Sequence, residues 1–470
     1  MSLVAVGGFI VVMIVVGVLA GRRATGSEEF LVAGRSLPLW LCTATLTATW
    51  MGAGTVIGAA GAAYEGGILG VIADPFGAAL CLTIAGTFYV RTLRRMQLLT
   101  IADFFQLRFS SSVGILSSVA LIVLYVGWTA VQFKAFGTVA GSLVEVDPRL
   151  AISLGAVIIL IYTATGGMWA VAFTDAIQIV LLLVGLVIML PLVVSSLGGF
   201  DATFAKLSTE QLRFTPSEPT GAAWLEYVRA WLIIGLGSIA TQDLMQRSFS
   251  ARSESVAQGS AYIAAVLYLT FGMIPVLLGL IGAHAMPGLE DPEMIVPELA
   301  SQHLHPVGAV ILVGALLAAV MSSADSALLA PASVLSANIL PLFRPNASEK
   351  LSFAVARWSI PVIGMAALVV ALTADKIYDL MLSSFELPLV SLFVPFTAGI
   401  WWKRANATGA LASMLTGGVV WGLCLAFAGD LPAELVGLGA SALALFVVSL
   451  ATQRSDPPRP LTDRDGKVLA

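Results

Sequence analysis

Long apolar runs separated by short polar segments extend over almost the whole chain. Because a helix needs about 20 apolar residues to cross the hydrocarbon core of a bilayer, the pattern predicts about 13 transmembrane helices and an all-α integral membrane protein. The predicted spans are 3–21, 39–63, 66–91, 113–143, 149–166, 169–196, 222–246, 256–284, 306–339, 352–374, 377–401, 406–428 and 431–452. We call the first the leader helix and number the others one to twelve.

The loops between these spans differ in their basic residues, which predicts an orientation. Alternate loops, taken as cytoplasmic, hold most of the Lys and Arg, as the positive-inside rule requires. These residues are Arg22, Arg23, Arg35, Arg91, Arg94, Arg95, Arg247, Arg252, Arg344, Lys350, Lys403 and Arg404. The pattern predicts a multi-pass plasma (inner) membrane protein with its N-terminus outside and its C-terminus cytoplasmic. Residues 1–452 form one transmembrane domain, and the charged, proline-containing tail 453–470 is typical of a disordered segment.

Composition agrees with this class and excludes others. Hydrophobic residues make up 58% of the chain and charged residues 11%, and the mean hydropathy is +0.94. Soluble domains have about 25% charged residues. There is no basic block to support nucleic-acid binding and no constellation of His, Cys and carboxylates that would indicate an enzyme.

Span one contains the glycine-rich stretch TATWMGAGTVIGAAGAAYEGG at 47–67. Such glycines are typical of close helix packing. Alternatively, the helix unwinds near Met51–Gly54, and the freed backbone carbonyls bind a cation, as in transporters with broken helices at the bilayer midplane. Span six has a weaker version of the pattern, GLGSIATQD at 235–243.

Span eight contains AAVMSSADSALL at 318–329, a polar interruption of an apolar helix. At 100° per residue, Ala319, Ser322, Ser323 and Ser326 share an arc of about 100°, and Asp325 borders it. Several oxygens on one face suit a hard monovalent cation such as Na⁺. A purely structural alternative is that each serine bonds the carbonyl four residues back.

Further ionisable residues lie within the predicted spans, where they are functional candidates by default. We hypothesise that Asp74 in span two and Lys134 in span three pair with each other and serve in coupling. Asp175, near the start of span five, has a structural alternative at a helix N-terminus. Glu386 in span ten is a further candidate.

Two tryptophans in mid-span, Trp50 and Trp128, are candidates for the wall of a substrate cavity, although most membrane tryptophans lie at the interfaces. Thr55, Thr241 and Gln242, which lie within the two glycine-containing stretches, complete the candidate substrate site.

Several motifs together resemble one family. FLVAGRSLPLW (30–40), GGMWAVAFTDAIQ (166–178) and AAVMSSADSALL are similar to segments of solute:sodium symporters, and the resemblance extends from about residue 28 to 425. Within the family, TATWMGAGTVIG, VMSSADS and FRPNASEK resemble the choline-transporter branch. The resemblance implies a LeuT-like fold of five plus five inverted spans, with core repeats at about 39–196 and 222–401, a leader helix and two extra C-terminal helices.

The resemblance also implies ligands for sodium. The main Na⁺ site would take backbone carbonyls of Ala48, Met51 and Ala319 and the hydroxyls of Ser322 and Ser323.

A second Na⁺ site, present in some members, would match Asp175, Ser322, Asp325 and Ser326. Asp325 departs from members that have a serine at this position, which would strengthen cation binding or provide a proton site.

The substrate does not follow from the resemblance. Trp50 and Trp128 match aromatic positions that cage a quaternary ammonium in the choline branch. Thr241 replaces a further tryptophan of that branch, and a buried Lys134 would repel choline and attract a carboxylate.

The predicted function is Na⁺-coupled uptake of a small polar organic solute (an amine, an amino acid or a carboxylate) by alternating access across the lipid bilayer. The alternatives are an H⁺-driven or sodium-independent carrier, with Asp325, Asp175 or Lys134 titrating, and a membrane sensor. The number of coupled sodium ions and the oligomeric state stay open.

Overall fold

The structure of the protein is a computed structural model. Its described residues are 26–144, 146–163, 167–218, 220–428 and 431–469, with a few positions between 8 and 21. The leader helix predicted over 3–21 falls largely outside the described residues. Over the described ranges the regular elements of the membrane region are helices, which confirms the all-α class.

The helices that build the membrane region are labelled α1 to α15 in chain order. They are α1 (Leu39–Trp50), α2 (Ala59–Gly66), α3 (Ala78–Phe88), α4 (Ser111–Val144), α5 (Pro148–Thr163), α6 (Gly167–Ser196), α7 (Gly221–Gly237), α8 (Gln242–Ser250), α9 (Glu254–Ala285), α10 (Pro306–Val334), α11 (Glu349–Thr373), α12 (Ile377–Pro388), α13 (Val394–Trp401), α14 (Ala407–Phe427) and α15 (Ala433–Ala451).

Two predicted spans are broken near their middle. Helix α1 ends at Trp50, and the N–H of Gly52 donates to the carbonyl of Trp50, only two residues back (2.8 Å). The second break separates α7 from α8, which are bent by 40°. Both breaks lie where the glycine-containing stretches predicted them.

The helix order is that of a LeuT-like fold, because each set of five core spans opens with a broken helix. Within the described residues, nine helices are long and apolar enough to cross a membrane, and the bent pair α7–α8 makes a tenth. The count of 13 therefore stays a prediction. It depends on the leader helix and on spans such as α5, whose 16 residues are short for a crossing.

Helix α10 is the centre of the packing. It is buried continuously from Ala315 to Val334 and packs against α1, α4 and α6. A close approach to the first break is possible because Gly52 has no side chain: a Cβ at this position would overlap the side chain of Ser323. The break in α1 and the serines of α10 are thus brought into contact.

The C-terminal tail makes specific contacts, so the predicted disorder is wrong for its described residues. Asn406 Nδ2 donates to the carbonyl of Asp456 (2.8 Å), and the carboxylate of Asp456 accepts from the N–H of Thr408 (2.7 Å). The N–H of Arg464 donates to the carbonyl of Met96 (3.0 Å). Charged and proline residues do not exclude order when a folded surface supplies hydrogen-bond partners.

Candidate functional site

The first group of polar atoms joins the broken helix to α10. Ser323 Oγ donates to the carbonyls of Ala48 (3.2 Å) and Thr49 (2.9 Å). The hydroxyl of Ser323 and the Ala48 carbonyl, two of the five predicted main-site ligands, are therefore adjacent. The arrangement can offer carbonyl and hydroxyl oxygens to a hard cation.

Ser322, on the same face of α10, points its hydroxyl at a carboxylate. Its Oγ donates to Asp175 Oδ1 (2.5 Å), while Thr45 Oγ1 of α1 donates to Asp175 Oδ2 (2.5 Å). Asp175 lies inside α6, fully buried. The structural alternative of a helix N-terminus does not describe it, because its partners are side chains of two other helices.

Arg247 reaches the same place, and its assignment to a cytoplasmic loop is wrong. Its side chain is 0% exposed, and Nη2 lies 4.0 Å from Asp175 Oδ2. Nη2 also donates to Ser326 Oγ, and Nη1 donates to the carbonyl of Asp243 (3.3 Å). The apolar run of span six stops just before this residue, but the half-helix α8 carries it back into the packed core.

The remaining two residues of the predicted second ion site have different surroundings. Ser326 Oγ lies 3.0 Å from Thr49 Oγ1 and close to Arg247, next to Asp175 and Ser322. Asp325 Oδ1 instead accepts a hydrogen bond from Thr163 at the end of α5.

A small cavity of about 20 Å³ lies between the two broken helices. Its described lining residues are Trp50, Asp74, Ala78, Trp128, Ile234, Ser238, Asp243, Tyr268, Met381 and Phe385. The ring of Trp128 packs edge-on against Phe385, with centroids 5.4 Å apart, and that of Trp50 against Tyr268, at 6.3 Å. The aromatic walls are therefore built from four different spans.

Asp243 is a cavity residue that the sequence reasoning missed. Trp50 Nε1 donates to Asp243 Oδ2 (3.0 Å), and Tyr125 OH donates to Oδ1 (2.5 Å). A usable signal existed, because an ionisable residue within a span is a functional candidate by default. Asp243 even ends the quoted stretch GLGSIATQD. Tyr268 and Phe385, by contrast, have no distinguishing signal in their apolar spans.

Asp74 also lines the cavity, but the hypothesis that it pairs with Lys134 is wrong. Its Oδ2 accepts from Thr55 Oγ1 (2.8 Å) and Tyr268 OH (3.0 Å). Its buried Oδ1 has no hydrogen-bond partner within the described part of the protein. Hydroxyl donors from two helices replace the expected ammonium group.

Lys134 lies toward the predicted outer side, near Glu293 in the segment between α9 and α10. Burial raises the pKa of Glu293, whereas the N–H groups of Ile377 and Tyr378 and the charge of Lys134 lower it. Lys134 is thus absent from the described cavity lining.

The other substrate candidates have mixed outcomes. Thr55 contacts both Asp74 and Tyr268 and so lies directly beside the cavity. Thr241 Oγ1 donates to the carbonyl of Ser238 (2.7 Å) within the break of span six. The amide of Gln242 is used elsewhere: its Oε1 accepts from the N–H of Ile101 (2.7 Å), and its Nε2 donates to the carbonyl of Leu99 (3.3 Å).

Glu386 lies outside the cavity lining. Its carboxylate is 3.7 Å from Arg229 Nη2 and accepts from Trp421 Nε1 (3.1 Å). Arg229 in turn makes a bidentate contact with Glu434, at 2.8 Å to each oxygen. These contacts tie α7, α12, α14 and α15 together, which gives Glu386 a structural place.

Comparisons with known proteins give consistent results. Residues 30–417 match a family model described as the sodium:solute symporter family. The chain is 32% identical over 441 residues to the high affinity choline transporter 1 of Homo sapiens, covering 88% of this chain and 75% of that protein. It is 26% identical over 408 residues to the sodium/pantothenate symporter of Haemophilus influenzae, covering 84% of each.

A solved structure supports the architecture. A Na⁺-coupled sialic acid symporter, in a substrate-bound outward-open state, superposes with a TM-score of 0.81. The match covers 96% of this chain and 98% of that one, at 22% sequence identity. At this identity the likeness concerns the fold, and it agrees with the LeuT-like order of the helices.

Proposed function

The chain belongs to the sodium:solute symporter family, and from this premise we propose that it carries a small organic cation into the cell together with Na⁺. A choline-like ammonium is the solute class whose charge best complements the residues that line the cavity. Transport takes place by alternating access across the plasma (inner) membrane. The protein acts as a carrier and not as an enzyme.

The observation that carries this proposal is the charge of the cavity. Two carboxylates, those of Asp74 and Asp243, and two tryptophans face a space with no Lys, Arg or His among its described lining residues. Aromatic faces attract cations, most strongly when the site is desolvated. A carboxylate solute would meet two like charges, so the amine class is favoured over the amino acid and monocarboxylate classes.

The approach to this cavity supports the same solute class. A wider vestibule on the predicted outer side is lined by Ala73 and Leu382, the chain neighbours of the cavity residues Asp74 and Met381. Its charged lining residues are Glu65, Glu218, Glu226, Asp379 and Arg229. A cleft lined mainly by one sign of charge concentrates the opposite ion and raises its association rate.

For sodium, we propose the ligand set Ala48, Met51, Ala319, Ser322 and Ser323. The contact of Ser323 with the Ala48 carbonyl supports it, because one cation there would join the broken helix to α10. Na⁺ would then favour the state in which these helices are together and the cavity is formed. The coupling is reciprocal, so the solute must also raise the affinity for Na⁺.

We also propose the orientation with the N-terminus outside and the C-terminus cytoplasmic, and a single transport domain over 1–452. Arg247 is buried and does not count as a loop charge, but Arg252 lies in the same predicted cytoplasmic loop. The excess of basic residues in cytoplasmic over outside loops therefore persists.

Purified protein in liposomes tests the function directly. With Na⁺ outside, labelled choline should accumulate, and unlabelled choline should compete far better than proline or pantothenate. Accumulation that is unchanged when K⁺ replaces Na⁺ at fixed pH, and that follows a pH gradient instead, would establish the H⁺-driven alternative. Competition by pantothenate but not by choline would contradict the cationic solute.

A further inference from the structure

The guanidinium of Arg247 occupies a fixed position among oxygen atoms in the middle of the protein. Its side chain and that of Asp175 are both 0% exposed, and Nη2 lies 4.0 Å from Asp175 Oδ2. Nη2 donates to Ser326 Oγ, and Nη1 donates to the carbonyl of Asp243 (3.3 Å). A permanent positive charge is therefore held by three groups on three helices.

These oxygens overlap with the set that the sequence assigned to a second sodium ion. Three of its four predicted ligands, Asp175, Ser322 and Ser326, contact one another or the guanidinium, whereas the fourth, Asp325, accepts a hydrogen bond from Thr163. Ser322 donates to Asp175 Oδ1 (2.5 Å), and Ser326 accepts from Arg247. Within the described residues, Asp175 is the carboxylate that contacts the guanidinium, so the charge that it compensates is already part of the chain.

A sodium ion added beside Arg247 would place two cations on one buried carboxylate. Like charges repel strongly where the effective dielectric constant is low. Arg is also suited to a permanent role, because it stays protonated in proteins and its planar fork serves several acceptors at once.

We propose that Arg247 is a built-in cation that takes the place of a second Na⁺, so that each cycle uses one sodium ion, bound at the Ser323 site. This inference rests on the proposed Na⁺-coupled function. It makes Arg247 a residue that determines ion number, and Asp175 its counter-ion instead of an ion ligand.

The contact with Asp243 adds a second consequence. Arg247 and Asp243 belong to the same half-helix α8, so the built-in cation moves with a wall of the substrate cavity. If a dissociable ion occupied this place, the contacts between α8 and the residues Asp175 and Ser326 would be lost each time the ion left. The guanidinium of Arg247 is part of α8 and keeps these contacts.

The test counts radioactive sodium bound per molecule of purified full-length protein, at saturating Na⁺ with choline present. The wild type should bind one ion. Arg247→Gln, which keeps a hydrogen-bond donor for Ser326 but removes the charge, should bind two, because Asp175 is then uncompensated. Arg247→Lys, the matched control that keeps the charge, should bind one.

A wild-type count of two would overturn the inference and leave Na⁺ coupling intact, whereas no bound sodium would contradict the proposed function itself. If Arg247→Gln does not fold, the number of sodium ions bound by Asp175→Asn tests the proposal instead. Its count should equal that of the wild type, and a loss of one ion relative to the wild type would show that Asp175 is an ion ligand.

Discussion

The substrate cavity and the Asp175 region both lie beside helix α1. They differ in whether their buried carboxylates have a positively charged partner. Asp175 receives hydroxyl groups of Thr45 and Ser322 and, in addition, the charge of Arg247. In the cavity, Asp74 and Asp243 receive only neutral donors from the described residues, namely Thr55, Tyr268, Trp50 and Tyr125.

The two regions differ in where the compensating charge comes from. An ionised group inside a membrane protein is costly unless it is paired. Asp175 is paired with Arg247 of the same chain. The cavity carboxylates, in contrast, would be paired with the transported cation in each cycle.

The largest effect is expected for Asp74→Asn. The amide oxygen of Asn can still accept from Thr55 and Tyr268, so the fold keeps its hydrogen bonds while the cavity loses a charge. A pair of opposite charges about 5 Å apart is worth about 3 kcal/mol at an effective dielectric constant of about 20, so choline affinity should fall roughly 100-fold. Binding of labelled choline in saturating Na⁺ measures it, and a change below about threefold would place the cation elsewhere.

Asp243→Asn is a less clean variant, because Asp243 uses both carboxylate oxygens as acceptors, one for Trp50 and one for Tyr125. An amide can accept at only one of these positions. A loss of choline binding in Asp243→Asn would therefore reflect both the lost charge and a lost hydrogen bond. Asp74→Asn removes the charge alone and is the better test.

The next effect concerns sodium. Ser323→Ala removes the hydroxyl that contacts the carbonyls of Ala48 and Thr49, and the half-saturating Na⁺ concentration for choline uptake should rise roughly 30-fold. Ser359→Ala on α11 is the control, since this hydroxyl donates to the carbonyl of Val355 in its own helix. Equal sodium dependence in the two variants would remove Ser323 from the ion site.

The aromatic wall should contribute less than the carboxylate. Trp128→Leu keeps an apolar side chain but loses the π face, and choline affinity should fall roughly 10-fold, because a desolvated cation–π contact is worth about 1 to 2 kcal/mol. Trp358→Leu, at a tryptophan that is 72% exposed on α11, is the control. If both substitutions change choline affinity equally, Trp128 has no specific role.

The smallest effect is expected for Asp379→Asn in the outer vestibule. It makes the same chemical change as Asp74→Asn, but at an exposed carboxylate that water and salt screen. Choline affinity at physiological salt should change less than about twofold. A loss as large as that of Asp74→Asn would show that cation selection takes place in the vestibule.

The sequence predicted the parts of the site that depend on local pattern. The break near Met51, the serine face of α10 and the mid-span positions of Trp50, Asp74 and Trp128 all follow from apolar periodicity and its interruptions. These features need only knowledge of a helix and its neighbours in the chain.

Contacts between spans that are distant in the sequence could not be predicted from local pattern. Asp74 was predicted to pair with Lys134, but its hydrogen-bond donors are Thr55 and Tyr268. The sequence around Asp74 does not indicate which hydroxyl group of another span will lie next to it. Arg247 looked like a loop residue because a polar run follows span six. Only the packing of α8 against Asp175 and Ser326 places its charge inside the protein.

The central claim, that the cavity selects a cation because its carboxylates are uncompensated, is tested by comparing choline with its neutral carbon analogue dimethylbutanol. The two have nearly the same shape and the same hydroxyl group, and they differ in charge. In saturating Na⁺ the purified protein should bind choline at least about 100-fold more tightly, and Asp74→Asn should remove most of that ratio. Equal affinities for the two ligands in the wild type would show that the cavity does not select its solute by charge.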